Sequence, residues 1–193
     1  MLSLKERLEL LETDLLARPS KISVYHNLPF AILRYDPCEE WGLRNELHLL
    51  IRRLGSKGKE VIEISLAELL WQAINESEGI DALIELEKDL GFEKAQEQAA
   101  AYLSDKDWMP MPDLLSERMA GLDPEKNIVF LVRAASMAPA IYRMSKLLDE
   151  MHGRSSITTI LFYPGTLEGT TGLRFMNLKD LDVQGNYRVK IYG

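Results

Sequence analysis

The chain has 193 residues, 46% hydrophobic and 27% charged, with a net charge of −7. That length and balance predict one globular domain with a sizeable core and exclude a fibrous or disordered chain. A charged start (Lys5, Glu6, Arg7, Glu9, Glu12, Asp14) excludes a signal peptide's apolar region, no run approaches the ~20 apolar residues of a bilayer span, and the lone Cys38 cannot form an internal disulfide; together these predict a cytoplasmic protein.

Leu4, Leu8, Leu11 and Leu15 recur at spacings of three and four, which predicts a helix from Leu2 to Leu16 within an N-terminal segment, residues 1–20, ended by Pro19. Phe30 to Tyr35 is a short apolar run and the first predicted strand. Glu39 to Leu54 places Leu43, Leu47, Leu50, Ile51 and Leu54 on one helical face. After the turn Gly55-Ser56-Lys57-Gly58, Val61, Ile62 and Ile64 predict a second strand. Ser65-Leu66-Ala67-Glu68 has capping-box spacing and opens a helix through Ile74. Asp81 to Tyr102 predicts one or two helices broken near Gly91. A linker, Met109-Pro110-Met111-Pro112, leads into a short helix that stops at Gly121. Asn127 to Val132 is the third strand, Met137 to Leu148 a helix, and Ile157 to Tyr163 a fourth strand ending in Pro164-Gly165. Gly165 to Gly172 reads as a flexible loop, and Tyr187 to Tyr192 alternates like an edge strand.

Alternating strands and helices predict an α/β fold: a single domain, 1–193, whose mostly parallel central sheet is flanked by helices. The segment 65–121 is then a helical insertion between the second and third strands, expected on the sheet's edge or end. Glu60 to Glu125 holds 17 acidic and 4 basic residues, a net of −13. Such a block repels phosphate backbones, so direct nucleic-acid binding is disfavoured. It suits solvated helix faces or a basic partner surface.

The sheet is Rossmann-like or P-loop-like without a Walker A motif. The turns after the first three strands read Asp36-Pro37-Cys38-Glu39, Ser65-Leu66-Ala67-Glu68 and Arg133-Ala134-Ala135-Ser136. None has the glycines that let backbone N–H groups approach phosphates, so no cofactor is expected. Arg133 and Ser136 remain candidate anion contacts near a helix start, as do Arg44 and Arg52 on the stripe Arg44, His48, Arg52. The simpler readings are that Ser136 caps the helix, that Arg133 pairs with a surface acid and that the stripe is a solubility feature. Asp36, Pro37 and Glu39 form a helix-capping arrangement that explains the surroundings of Cys38 without nucleophilic chemistry. The histidines His26, His48 and His152 are far apart, so no metal site and no catalytic residues are predicted. Trp108, Met109 and Met111, in a proline-bounded loop, are either core or partner contacts. Glu85 and Asp89, one helical turn apart, are further candidate contacts on the acidic face.

The run Leu33-Arg34-Tyr35-Asp36-Pro37 with Glu39-Glu40, the third strand with its Ala-Ser turn, the strand ending Phe162-Tyr163-Pro164-Gly165, and Asn186-Tyr187-Arg188 resemble the BrxB family of BREX phage-defence systems. The resemblance runs roughly from Phe30 to the end. Phe-Tyr-Pro-Gly is its most specific part. Arg133-Ala134-Ala135 departs from it, because a glycine is expected in that turn. The resemblance implies a non-enzymatic component of an antiviral defence complex, a protein-binding scaffold or regulator. The implied direct partner is PglZ, the alkaline-phosphatase-superfamily protein of the system, with other BREX components as indirect ones. The alternative is a degenerate nucleotide- or nucleic-acid-binding domain within the same system.

Overall fold

The structure, a computed structural model, describes residues 2–18, 21–22, 28–139, 141–169, 172–179, 187 and 189–193. Pro19, His26, Asn186 and Arg188 lie outside the described residues. The strands are β1 (Phe30–Tyr35), β2 (Glu60–Ser65), β3 (Asn127–Val132), β4 (Thr158–Glu168), β5 (Gly172–Phe175) and β6 (Lys190–Tyr192). The main sheet runs β2-β3-β4-β1-β6, with every neighbouring pair parallel. Around it lie α1 (Leu4–Leu16), α2 (Glu40–Ser56), α3 (Leu66–Glu76), α4 (Gly79–Leu90), α5 (Phe92–Ser104), α6 (Met111–Met119) and α7 (Met144–Glu150).

Parallel strands covered on both faces need continuous apolar sequence, and β1 is buried along its whole length. Ala31, Leu33, Phe130, Ile160 and Phe162 face one layer, packed under the leucine stripes of α1 and α2. Phe30, Ile32, Val129, Leu131 and Leu161 face the other, under α3, α6 and α7. The connection from β1 to β2 runs back along the sheet through α2, and those from β2 to β3 and β3 to β4 run forward over the opposite face. Right-handed crossovers require that division.

The insertion is not at the sheet's edge. Its first and last helices, α3 and α6, form a layer on the sheet face, because Leu66, Leu69, Leu114 and Leu115 are fully buried there. α4 and most of α5 stand outside, held by a small cluster of Ile74, Leu83, Ala99 and Tyr102, with Leu103 at the end of α5 reaching the main core. The predicted caps form: Ser65 Oγ accepts from the Glu68 N–H at 3.3 Å, and Gly91, at φ 89°, separates α4 from α5.

Two further expectations are corrected. No helix spans Met137 to Leu148. A 3₁₀ turn, Ala134–Met137, is followed by the separate α7. Pro139 is the reason: it has no N–H to donate and pushes Ala138 out of the helical region, to φ −70°, ψ 149°. The Ala138–Pro139 peptide is cis. Gly165 to Glu168 is not a flexible loop either. β4 continues through it to Glu168 and pairs antiparallel with β5, Gly165 opposite Phe175. Pro164 is the last β4 residue beside β1, opposite Tyr35, so Pro164-Gly165 marks where β4 changes partner. Thr170 and Thr171 lie outside the described residues. The C-terminal run does form an edge strand, shortened to β6 beside β1.

Candidate functional site

In parallel sheets, ligands gather beyond the carboxyl ends of the strands. Here that edge holds a cleft of about 220 Å³ between α2 and the ends of β1–β4. Its floor is apolar, made by Leu43, Leu47, Val132 and Phe162. Its polar groups are Tyr35, Glu40, Arg44, His48, Glu63 and Arg133.

Each group is placed by ordinary local rules. Asp36 Oδ1 accepts from the Cys38 N–H at 3.0 Å, and Glu39 accepts from the Asp36 N–H at 3.3 Å. This capping box starts a 3₁₀ turn, Pro37–Glu39, that runs directly into α2 and sets Glu40 against Tyr35. Tyr35 donates a short hydrogen bond to Glu40. Burial, reinforced by the Glu40 carboxylate, pushes the Tyr35 hydroxyl's pKa far up, so it stays a neutral donor. Arg44 Nε donates to Glu40 Oε1 at 2.9 Å, one helical turn on, and its guanidinium lies 4.6 Å from the centre of the Trp41 ring.

Arg133 follows β3 in the left-handed region, at φ 59°, ψ 36°. Non-glycine residues seldom adopt that conformation. The glycine expected in this turn is therefore expected for a physical reason, and this chain has a long cation there instead. Among the described residues Arg133 has no ion-pair partner. Its carbonyl accepts from Ser136 N–H at 3.1 Å and from Ser136 Oγ at 2.9 Å.

The structure thus divides the four anion candidates. Arg44 and Arg133, 89 positions apart in sequence, meet in one cleft, joined by His48. Ser136 uses its hydroxyl on the Arg133 carbonyl, and Arg52 is exposed outside the cleft. The cleft positions of Tyr35 and Glu63 are not legible in the sequence, because nothing in a single strand tells which of its side chains will face a helix. Cys38 is exposed, and Asp36 beside it pushes its pKa up, the reverse of an activated thiol. Among the described residues no group of three or more His, Cys, Asp or Glu side chains is placed to hold a metal ion.

The partner-contact candidates divide as well. Met111 is fully buried in the main core. Met109 is half-buried against that core, and Trp108 is half-buried, edge-on to Tyr102 at 5.1 Å. Glu85 and Asp89 are exposed on α4, as is Asp81 one turn before them. Beside this acidic stripe Ile80 and Ile84 are also exposed, and Leu90 and Phe92 at the end of the hairpin are 64% and 61% exposed. The sequence hides this apolar surface, since the same spacing also describes a buried helix face.

The fold and its surfaces define a class: an α/β domain with a charged cleft where a nucleotide fold would carry its glycine loop, and an acidic, apolar helical hairpin. The chain belongs to the BrxB family; the family described as "BREX protein BrxB" matches residues 62–191. It is similar to BREX protein BrxB of Bacillus cereus (strain H3081.97), at 26% identity over 173 residues, 87% of this chain and 86% of that protein. No solved structure matches. Membership implies a role in BREX phage defence, and the family is named as a component of that system rather than as an enzyme. Among the described residues no helix is long and apolar enough to cross a membrane.

Proposed function

We propose that this protein is a non-enzymatic, cytoplasmic member of a BREX defence complex that binds the PglZ-like component and acts as its scaffold or regulator. The observation that carries this reading is the α4–α5 hairpin, which exposes Ile80, Ile84, Leu90 and Phe92 among acidic side chains. Large apolar side chains left in water cost free energy, and a rim of like charges around them excludes wrong partners while steering the right one. A basic, partly apolar surface on the partner is the complement.

Co-expression with the PglZ-like protein followed by size-exclusion chromatography tests the proposal. The two chains co-elute at micromolar concentration, and Ile84→Ser with Leu90→Ser separates them without lowering the melting temperature. Independent elution of the wild-type chains refutes it.

A further inference from the structure

The cleft on the α2 face has a chemistry that docking of a protein partner leaves unused, and it lies on different elements from the α4–α5 hairpin. Arg133 enters it from the end of β3, with no ion-pair partner among the described residues and in a backbone conformation that disfavours a side chain. Arg44 enters from α2; among the described residues its hydrogen bond to Glu40 uses Nε alone. His48 follows one turn later on the same helix. Two guanidiniums and an imidazole about one space match the oxygens of a phosphate group, which guanidinium binds with paired donors.

The remaining groups narrow the ligand. Glu40 and Glu63 repel a second phosphate but accept hydrogen bonds from hydroxyls. The floor of Leu43, Leu47, Val132 and Phe162 takes a carbon skeleton. The turns after β1, β2 and β3 carry none of the glycines that wrap a di- or triphosphate. Beyond the mouth, Trp41 is 74% exposed beside Arg44 and offers a ring for stacking. We infer that this cleft binds a phosphate monoester of a hydroxylated organic molecule, a sugar or nucleoside monophosphate, with Arg133 and Arg44 on the phosphate and Glu63 on a hydroxyl.

Isothermal titration of the full chain with AMP, ribose 5-phosphate and inorganic phosphate tests it. At least one ester binds saturably, and binding of ribose 5-phosphate as tightly as AMP identifies the sugar phosphate as the recognised part, whereas AMP alone identifies the nucleotide. Arg133→Gly weakens binding by on the order of tenfold or more. Because glycine suits that backbone, the variant melts no lower than the wild type, so lost binding is not lost folding. Arg52→Gln, on the same helix outside the cleft, leaves affinity unchanged. The inference is overturned if neither ester saturates at millimolar concentration, if inorganic phosphate alone binds, or if Arg52→Gln weakens binding as much as Arg133→Gly. None of these outcomes depends on the PglZ-like partner.

Discussion

Gly165→Ala is expected to unsettle the sheet far more than one added methyl suggests. A Cβ on Gly165 would lie 2.0 Å from the Arg174 carbonyl oxygen and 3.0 Å from Tyr163 Cε1. Carbon and oxygen rest comfortably near about 3.3 Å, so the strands must part. The oxygen belongs to the β5 backbone and has no rotamer by which to escape. Parting β5 from β4 also loosens Leu173 and Phe175, which pack on the core, the latter 5.5 Å from the Tyr163 ring. Overpacking costs about 1–3 kcal/mol and forcing a side chain into a glycine-only conformation (φ 154°) about as much again. The sum, about 4 kcal/mol, corresponds to a fall in melting temperature of roughly 8–16 °C for a chain of this size. Gly169→Ala is the control, since φ is also positive, at 66°, but nothing lies within 4 Å of the added carbon; its cost is about 1 kcal/mol. Urea titration followed by circular dichroism compares the two. Equal stability of the two variants, within about 0.5 kcal/mol, would refute the steric argument.

Two further substitutions probe other parts of the frame. Met111→Ala removes a fully buried side chain and should cost about 2–5 kcal/mol by the same titration; a loss under about 1 kcal/mol would mean that the side chain is not in the core. Asp14 accepts from Lys190 Nζ at 2.5 Å and from Tyr192 Oη at 2.7 Å. Partial burial opposes its ionisation, but these bonds outweigh burial and hold its pKa below the usual 3.8. A depressed folded-state value gives stability that is present above the unfolded value and is lost as pH falls through the folded one. Wild type should therefore lose more stability than Asp14→Asn on acidification below about pH 4, and parallel melting-temperature curves for the two would contradict this.

Much of the frame was legible because it depends on local chemistry. The leucine stripe of α2 and the Ser65 and Asp36 caps are written within a few residues of one another, and each forms as spaced. The errors came where one residue outweighs a pattern or a distant segment decides. Pro139 interrupts an otherwise helical run, and Gly165 looked like a loop because β5, its partner, has only four residues. The cleft was half legible. Arg133 was recognisable as a cation near a helix start and Arg44 as part of a basic stripe, but their convergence depends on the order of strands, which periodicity does not carry. For the hairpin, exposed Ile84 and buried Leu83 are the same kind of residue in the same helix, and only tertiary packing separates them.

The position of β1 also bears on how the chain is made. Its neighbour β4 aligns Phe162 with Leu33, 129 positions later, and its other neighbour, β6, arrives later still. At ribosomal speeds of about 5–20 residues per second, that leaves β1 without either edge partner for roughly 6–26 s. During that interval α1 and α2 can cover the face bearing Ala31 and Leu33, and α3 and α6 part of the face bearing Phe30 and Ile32, but both rows of backbone donors and acceptors of β1 stay open. Unpaired apolar strands of this kind recruit one another. A nascent or truncated chain that stops before β4 is therefore a species to be held by a chaperone, and expression yield will depend on the supply of chaperone as much as on the stability of the finished fold.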